Sequence, residues 1–169
     1  MFNKIFPWIL LVISISGCSV ANDTTSTAIG DDLLVIPLEL TTHLGDQQQF
    51  VEGDEIQFLL SLGQDAYIYM FYLDGKGSIT QILPNENQHS HFYTAGYFLT
   101  IPEYENHYRF TISEPFGEES IWIIASDQSI TLPASADSLA DIRRVIKHSS
   151  RQAYGEYVLS ITTRAKSGF

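Results

Sequence analysis

Residues 66–73 read AYIYMFYL and are the clearest indication of the architecture. Its even-numbered and its odd-numbered residues are both apolar or aromatic, so neither face of the segment suits exposure to water. A β-strand of this kind is covered on both sides and lies in the middle of a structure. Residues 120–126, SIWIIAS, have the same character. The two stretches therefore predict two interior strands.

Shorter apolar or alternating segments surround these two stretches and predict further strands. In residues 55–62 the apolar side chains fall on every second residue, as expected for a strand with one buried face. Turns rich in Gly, Asp and Pro, such as DGKG at 74–77, separate the segments. The further segments are 33–40, 55–62, 78–83, 97–102, 107–113 and 154–164. Short strands at roughly ten-residue spacing predict a mainly β protein with an antiparallel β-sandwich.

The spacing of apolar residues changes once from the alternation of strands to the spacing of a helix, in residues 137–151 (DSLADIRRVIKHSSR). Leu139, Ile142 and Ile146 follow helical spacing, which predicts one helix with an apolar stripe over about 137–151. Ser138 and Asp141 stand at the positions of a capping box, with the shorter aspartate in place of glutamate. The sequence therefore adds a single helix, late in the chain, to the sandwich.

The amino-terminal residues predict an exported and lipidated protein. Lys4 precedes an apolar run at 5–15, too short for a spanning helix and typical of a signal peptide. Ile15-Ser16-Gly17-Cys18 resembles a bacterial lipobox, which implies cleavage before Cys18 and acylation of that cysteine with chains such as palmitate. Cys18 is the only cysteine, so it forms no disulfide within the chain. An ordinary secretory signal with a chance cysteine is the alternative.

Three regions follow from this interpretation: a signal peptide at 1–17, a tether at 18–31 with the lipid on Cys18, and one domain at 32–169. The tether is small and polar without a period, and its thirteen residues after Cys18 reach at most about 45 Å. An aspartate directly after the lipidated cysteine favours retention of the protein at the inner membrane. Ser19 occupies that position here, which points to the outer membrane. We expect the domain to face the periplasm or the cell surface.

The charge is acidic and unevenly distributed. The net charge is −11, and such a surface repels nucleic acid, so we expect no nucleic-acid partner. Residues 18–142 hold 19 acidic and 2 basic side chains, whereas 143–169 hold 6 basic and 1 acidic. Cations in the predicted helix form a candidate partner surface: Arg143, Arg144, Lys147 and Arg151. The alternative is that they complement the carboxyl end of the helix.

Residues 84–96 form a long polar segment that we predict to be a loop. Its candidate ligand-binding residues are Asn85, Glu86, His89, His91 and Tyr93. Two imidazoles and a carboxylate can hold a transition metal, but a solvated loop is the commoner outcome, and we predict no metal and no cofactor. Acidic turns at 52–55 and 118–119 can bind calcium weakly, and again simple solvation is commoner. No nucleophile elbow or zinc-protease motif is present, so we predict no enzyme activity.

Several stretches in order resemble the bacterial envelope-associated domain of unknown function 4384, over residues 51–126. They are EGDEIQFLLSL, AYIYMFYLDGKGSITQILPN, GYFLTIP and EPFGEESIWIIAS. The matching motif residues are Gly53-Asp54, Tyr67, Tyr69, Phe71, Asp74, Gly77, Leu83-Pro84-Asn85, Ile101-Pro102, Pro115, Gly117 and Glu119. The resemblance implies an immunoglobulin-like sandwich, found in lipoproteins or fused to other modules, without catalytic residues of its own.

These observations predict a lipid-anchored, non-enzymatic lipoprotein that acts as an interaction or assembly module of an unknown envelope protein complex. The alternative is a module that binds glycan or peptidoglycan. Tyrosines on the predicted strands can stack on sugar rings, although such residues more often belong to the core.

Overall fold

The computed structural model describes residues 33–45, 49–106, 108–134 and 136–167. The signal peptide, Cys18 and the tether lie outside the described residues. Within the described ranges the elements are β1 (Leu34–Val35), β2 (Leu38–Thr42), β3 (Gln49–Val51), β4 (Glu55–Ile56), β5 (Phe58–Leu62), β6 (Ala66–Leu73), β7 (Ile79–Leu83), β8 (Phe92–Tyr93), β9 (Phe98–Ile101), β10 (Phe110–Thr111), β11 (Glu118–Ser126), α1 (Leu139–Ser149) and β12 (Ala153–Arg164). No helix in these ranges is long and apolar enough to cross a membrane.

The larger sheet has the strand order β1-β12-β11-β6-β7, with β3 also on β12 and β8 also on β6. The two stretches that predicted interior strands are its central members: AYIYMFYL is β6, and SIWIIAS lies within β11. Strands β6, β7, β8, β11 and β12 pair antiparallel. Two short strands, β1 and β3, pair parallel to β12 and extend this otherwise antiparallel sheet.

The predicted single run at 33–40 is divided between two sheets. Leu34 and Val35 pair with β12 in the larger sheet, whereas Leu38 to Thr42 pair with β5 in a smaller sheet of order β2-β5-β9. Pro37 stands between the two strands and has no N–H to contribute to a ladder. The run therefore crosses from one sheet to the other at the proline.

The core lies between the two sheets, which confirms the predicted β-sandwich. Leu40, Leu60 and Ile101 from the smaller sheet belong to the same buried cluster as Ile68 and Ile123 from the larger one. Each of these five side chains is at most 1% exposed. A short pair, β4 with β10, extends the structure beside the smaller sheet.

The second face of the larger sheet is covered by α1, which explains why β6 and β11 are apolar on both faces. Tyr69, Phe71 and Ile124 form a separate buried cluster with Ile142 and Ile146 of the helix. The helix spans Leu139–Ser149, within two residues of the predicted ends. Its predicted cap is confirmed: Oγ of Ser138 accepts a hydrogen bond from the N–H of Asp141 at 3.1 Å.

The end of α1 is fixed to β11 and to the start of β12. The hydroxyls of Ser126 and Ser150 are 2.8 Å apart, and the Asp127 carboxylate accepts hydrogen bonds from the N–H groups of Arg151 and Gln152, both at 3.0 Å. Burial by itself raises the pKa of Asp127, but these hydrogen bonds together outweigh burial and hold the pKa below its ordinary value. Asp127 therefore stabilises this junction in its ionised form.

Three local predictions need correction. The short strands β3 and β8 were not predicted, and β8 interrupts the segment predicted to be one loop at 84–96. In the predicted strand 107–113 only Phe110 and Thr111 pair, with β4; His107 lies outside the described residues. Strands of two or three residues are too short to show an alternating pattern. Whether such strands form depends on pairing with distant parts of the chain.

Candidate functional site

A cleft of about 630 Å³ opens between β7 and residues 108–115, a size suited to a small ligand or a short chain segment. Thr80, Gln81 and Ile82 form one wall, and the segment that contains β10 forms the other. Apolar side chains of the sandwich lie at its base: Ile56, Phe58, Tyr72, Ile121 and Ile161. All of these except Tyr72 are at most 4% exposed, so buried core side chains close the base of the cleft.

The β6–β7 hairpin positions one rim of the cleft. Oδ1 of Asp74 accepts hydrogen bonds from the N–H groups of Lys76 and Ser78, both at 2.8 Å, and Gly77 adopts a φ of 86° that suits glycine. Asp74 and Gly77 thus close the hairpin as the sequence predicted. The hydrogen bond from Ser78, followed by the others, lowers the pKa of Asp74, so its carboxylate remains charged at the cleft.

No strand in the described part of the chain pairs with the outer edge of β7, which is the last strand of the larger sheet. The N–H of Asp74 donates to the carbonyl of Ser78 at 3.1 Å, and Tyr72 pairs with Thr80. Hydrogen-bonded and non-hydrogen-bonded pairs alternate in an antiparallel ladder. Because Asp74 and Ser78 are hydrogen-bonded, the backbone groups of Thr80, two residues further along, also point to β6. The backbone N–H and C=O groups of Ile79 and Gln81 therefore point away from β6. These groups form a short open ladder beside the cleft.

The lining of the cleft is negatively charged. It includes the carboxylates of Asp74, Glu86 and Glu114, against the single cation Arg109. The guanidinium of Arg109 donates to the backbone carbonyls of Asn106 at 2.6 Å and Tyr108 at 2.8 Å. Across the described ranges, no three His, Cys, Asp or Glu side chains lie close enough together to hold a metal ion. The negative charge is therefore spread along the cleft.

A buried carboxylate lies next to the cleft floor. Glu119 is 4% exposed and pairs across β11–β12 with Ile161, on the same sheet face as Ile121. Its Oε1 accepts a hydrogen bond from Thr163 at 2.7 Å. Burial, followed by a side-chain hydrogen bond with Glu119 and then by the charge of Glu119, raises the pKa of Tyr72. Tyr72 lines the cleft, so it connects the buried carboxylate to the cleft.

Comparison with known proteins identifies the part of the chain that forms the cleft. Residues 49–129 match the sequence model of the domain of unknown function (DUF4384). These residues belong to the DUF4384 family. No curated protein and no solved structure matches the chain. The DUF4384 segment contributes every residue that lines the cleft except Ile161. The predicted resemblance over 51–126 is thereby confirmed.

The predicted ligand loop within the DUF4384 segment is divided by the structure. Of its five candidate residues, only Asn85 and Glu86 line the cleft, where Asn87 joins them. Asn85 stabilises a turn: its Oδ1 accepts hydrogen bonds from the N–H groups of Asn87 and Gln88 at 2.8 Å, and its Nδ2 donates to the carbonyl of Ile82 at 2.6 Å. Glu86 is exposed at the rim. The position of Glu86 suits contact with a ligand, whereas Asn85 is mainly structural.

Gln88 organises the rest of this loop, a role that no sequence pattern predicted. Its side chain is 6% exposed and donates to the Tyr93 hydroxyl and to Glu103, while its carbonyl accepts from Asn106 and Tyr108. Burial, and then the charge of Glu103, raise the pKa of Tyr93. Tyr93 is therefore a buried member of a polar network. A glutamine in a polar stretch looks solvated, and only the fold shows that it is enclosed.

The two histidines of the loop are separated from the cleft. His91 packs against the rings of Tyr67 and Tyr69, with centroids 5.4 and 5.1 Å away. His89 is exposed, and its backbone carbonyl lies 3.1 Å from Nδ1 of His91. Neither histidine lines the cleft. His91 is part of an aromatic cluster on the helix-facing side of β6.

The predicted basic surface lies on and after α1. Arg143 forms an ion pair with Glu156, which raises the pKa of Arg143, and Arg144 forms one with Asp141. Lys147 is in the last helical turn, where a cation is favourable, and Arg151 is exposed beyond it. Two of the four cations are thus locally compensated. A partner role for Arg143, Arg144, Lys147 and Arg151 stays a prediction.

Proposed function

We propose that the protein is a lipid-anchored, non-enzymatic module of the bacterial cell envelope that binds a partner in the cleft between β7 and β10. By holding that partner it contributes to an envelope complex. The DUF4384 segment supplies the binding site, and the lipid on Cys18 supplies the location.

The open strand edge beside the cleft is the observation that carries this proposal. An unpaired edge is normally shortened, charged or covered, because it invites pairing with another chain. Here the edge of β7 borders a cleft with exposed carboxylates at its rim. Among the described residues the lining contains carboxylates, amides and aromatic rings but no His or Cys. These groups favour recognition over nucleophilic catalysis.

The topology suits attachment through the amino terminus. Leu34 begins β1, at one end of the strand order β1-β12-β11-β6-β7, and the cleft lies at β7, the other end. A chain that enters the domain at β1 therefore leaves the β7 edge accessible. This arrangement supports a partner that approaches the domain at the β7 edge.

Photo-crosslinking in cells tests the proposal. A photoreactive amino acid replaces Gln81 at the cleft edge, Arg151 on the basic surface, or Ser160, an exposed residue of β12 that serves as the control. We expect a discrete adduct with an envelope protein from Gln81 and none from Ser160. Adducts from Arg151 alone would reject the cleft and assign the partner to the basic surface.

Exposed aromatic rings favour the alternative function of glycan binding. Phe92, Tyr97, Phe98 and Tyr104 are 48%, 70%, 78% and 87% exposed. Rings of this kind stack on sugars. If Gln81 yields no protein adduct and the protein sediments with purified sacculi at low salt, the glycan alternative replaces the cleft proposal.

A further inference from the structure

We propose that the cleft binds an extended cationic polypeptide segment, which adds to β7 as a further strand of the larger sheet. This inference rests on the proposed function and names the chemistry of the partner. The structure places an open backbone ladder and three carboxylates, those of Asp74, Glu86 and Glu114, along one cleft.

The backbone of β7 favours an extended chain over a compact ligand. Ile79 and Gln81 direct their N–H and C=O groups outward, and the exposed residues Thr80 and Gln81 line the cleft. A strand that adds to such an edge gains main-chain hydrogen bonds, and alternate side chains enter the neighbouring pockets. Because β7 has five residues, a segment of about five residues matches it.

The rim of the cleft favours cations at alternate positions of the added segment. Successive side chains of a strand point to opposite faces. Those on the cleft side of a strand added to β7 face the cleft lining, where Glu86 and Glu114 are exposed. The fitting segment therefore carries Lys or Arg at every second residue.

The distribution of charge favours a peptide over a metal cation. Asp74, Glu86 and Glu114 belong to different parts of the lining, and among the described residues no three acidic or imidazole groups converge on one point. A divalent ion needs such convergence, whereas the cations of an extended segment are spaced along it. Arg109 is the one opposing charge in the lining.

The test uses the full-length protein in detergent and a fluorescent peptide, acetyl-KVKVKVK-amide. The comparison peptides are KVKPKVK, which keeps four lysines but cannot pair regularly at an edge, and EVEVEVE. We expect anisotropy to show binding of KVKVKVK that is at least about tenfold tighter than that of either comparison peptide. We also expect bound KVKVKVK to slow amide exchange at Ile79 and Gln81.

Matched protein variants separate backbone pairing from charge. Gln81→Pro removes an outward N–H, and Gln81→Ala keeps it, so only the first is expected to lose about tenfold in affinity. Glu86→Gln with Glu114→Gln should weaken binding about tenfold at low salt, whereas Glu105→Gln, an exposed residue that does not line the cleft, should not. Circular dichroism checks that Gln81→Pro folds, and the peptide comparison stands without that variant.

Equal binding of KVKVKVK and KVKPKVK would overturn strand addition, and absence of binding would overturn the cationic class. A discrete crosslink from Gln81 in cells, together with failure of the peptide, would leave the cleft as the binding site and reject this ligand. Failure of both experiments would reject the cleft as well.

Discussion

Replacement of Gly155 by alanine is expected to destabilise the domain by about 3 kcal/mol or more. A Cβ atom at this position would lie 2.3 Å from the carbonyl oxygen of Ile36 and 2.6 Å from Cδ2 of Leu38. Leu38 can change rotamer, but the Ile36 carbonyl belongs to the backbone that joins β1 to β2. The N–H of Ile36 also donates to the carbonyl of Tyr154 at 2.9 Å. The substitution therefore forces the parallel edge away from β12.

Urea unfolding of Gly155→Ala measures this effect, with Gly53→Ala as the matched control. Gly53 has a φ of 89°, and a Cβ there would meet nothing within 4 Å. Gly53→Ala should thus cost only the strain of a left-handed backbone, about 1 kcal/mol. If Gly155→Ala were no more destabilising than Gly53→Ala, the close approach of β1–β2 to β12 would be wrong.

Ile146→Ala is expected to lower the free energy of unfolding by about 3 kcal/mol. Ile146 is 0% exposed and belongs to the cluster of Tyr69, Phe71 and Ile124 on the outer face of the larger sheet. Loss of its side chain leaves a cavity between α1 and the sheet. The helix is short, so its stability comes mainly from this packing.

Ser149→Ala is the control for Ile146→Ala, because Ser149 is exposed in the same helix. We expect it to change stability by less than about 0.5 kcal/mol, as surface substitutions usually do. Equal urea midpoints for the two variants would show that α1 does not cover the sheet.

The elements with a strong local signal were predictable from the sequence. In 66–73 and 120–126 both faces are apolar, and the structure covers one face with the second sheet and the other with α1. The helix was marked by its 3.6-residue period and by Ser138 and Asp141 at the cap. In each case, residues close in sequence carry the pattern.

Features that depend on distant parts of the chain were not predictable. The parallel pairing of β1 and β3 depends on which edge of β12 is available. The sequence of residues 34–35 or 49–51 contains no information about that edge. The cleft joins β7 to residues 108–115, which no local pattern links. The negative charge of the cleft was predictable only from the excess of acidic over basic residues in 18–142.

The candidate loop shows the same division at the level of single residues. Glu86 reaches the cleft, but His91 and Tyr93 turn into separate clusters because β8 pairs with β6 and carries them away from β7. Polarity predicted that residues 84–96 leave the regular sheet. It did not predict which side chains return to the interior, and Gln88 is the clearest case.

Attachment of lipid to Cys18 is the condition on which the envelope role of the cleft depends. Cells that produce the full chain are grown with radiolabelled palmitate, and the mass of the purified protein is measured. We expect label in the membrane fraction, a mass that lacks residues 1–17 and includes acyl chains, and no label in Cys18→Ser. An unlabelled soluble protein that retains residues 1–17 would contradict the proposed function.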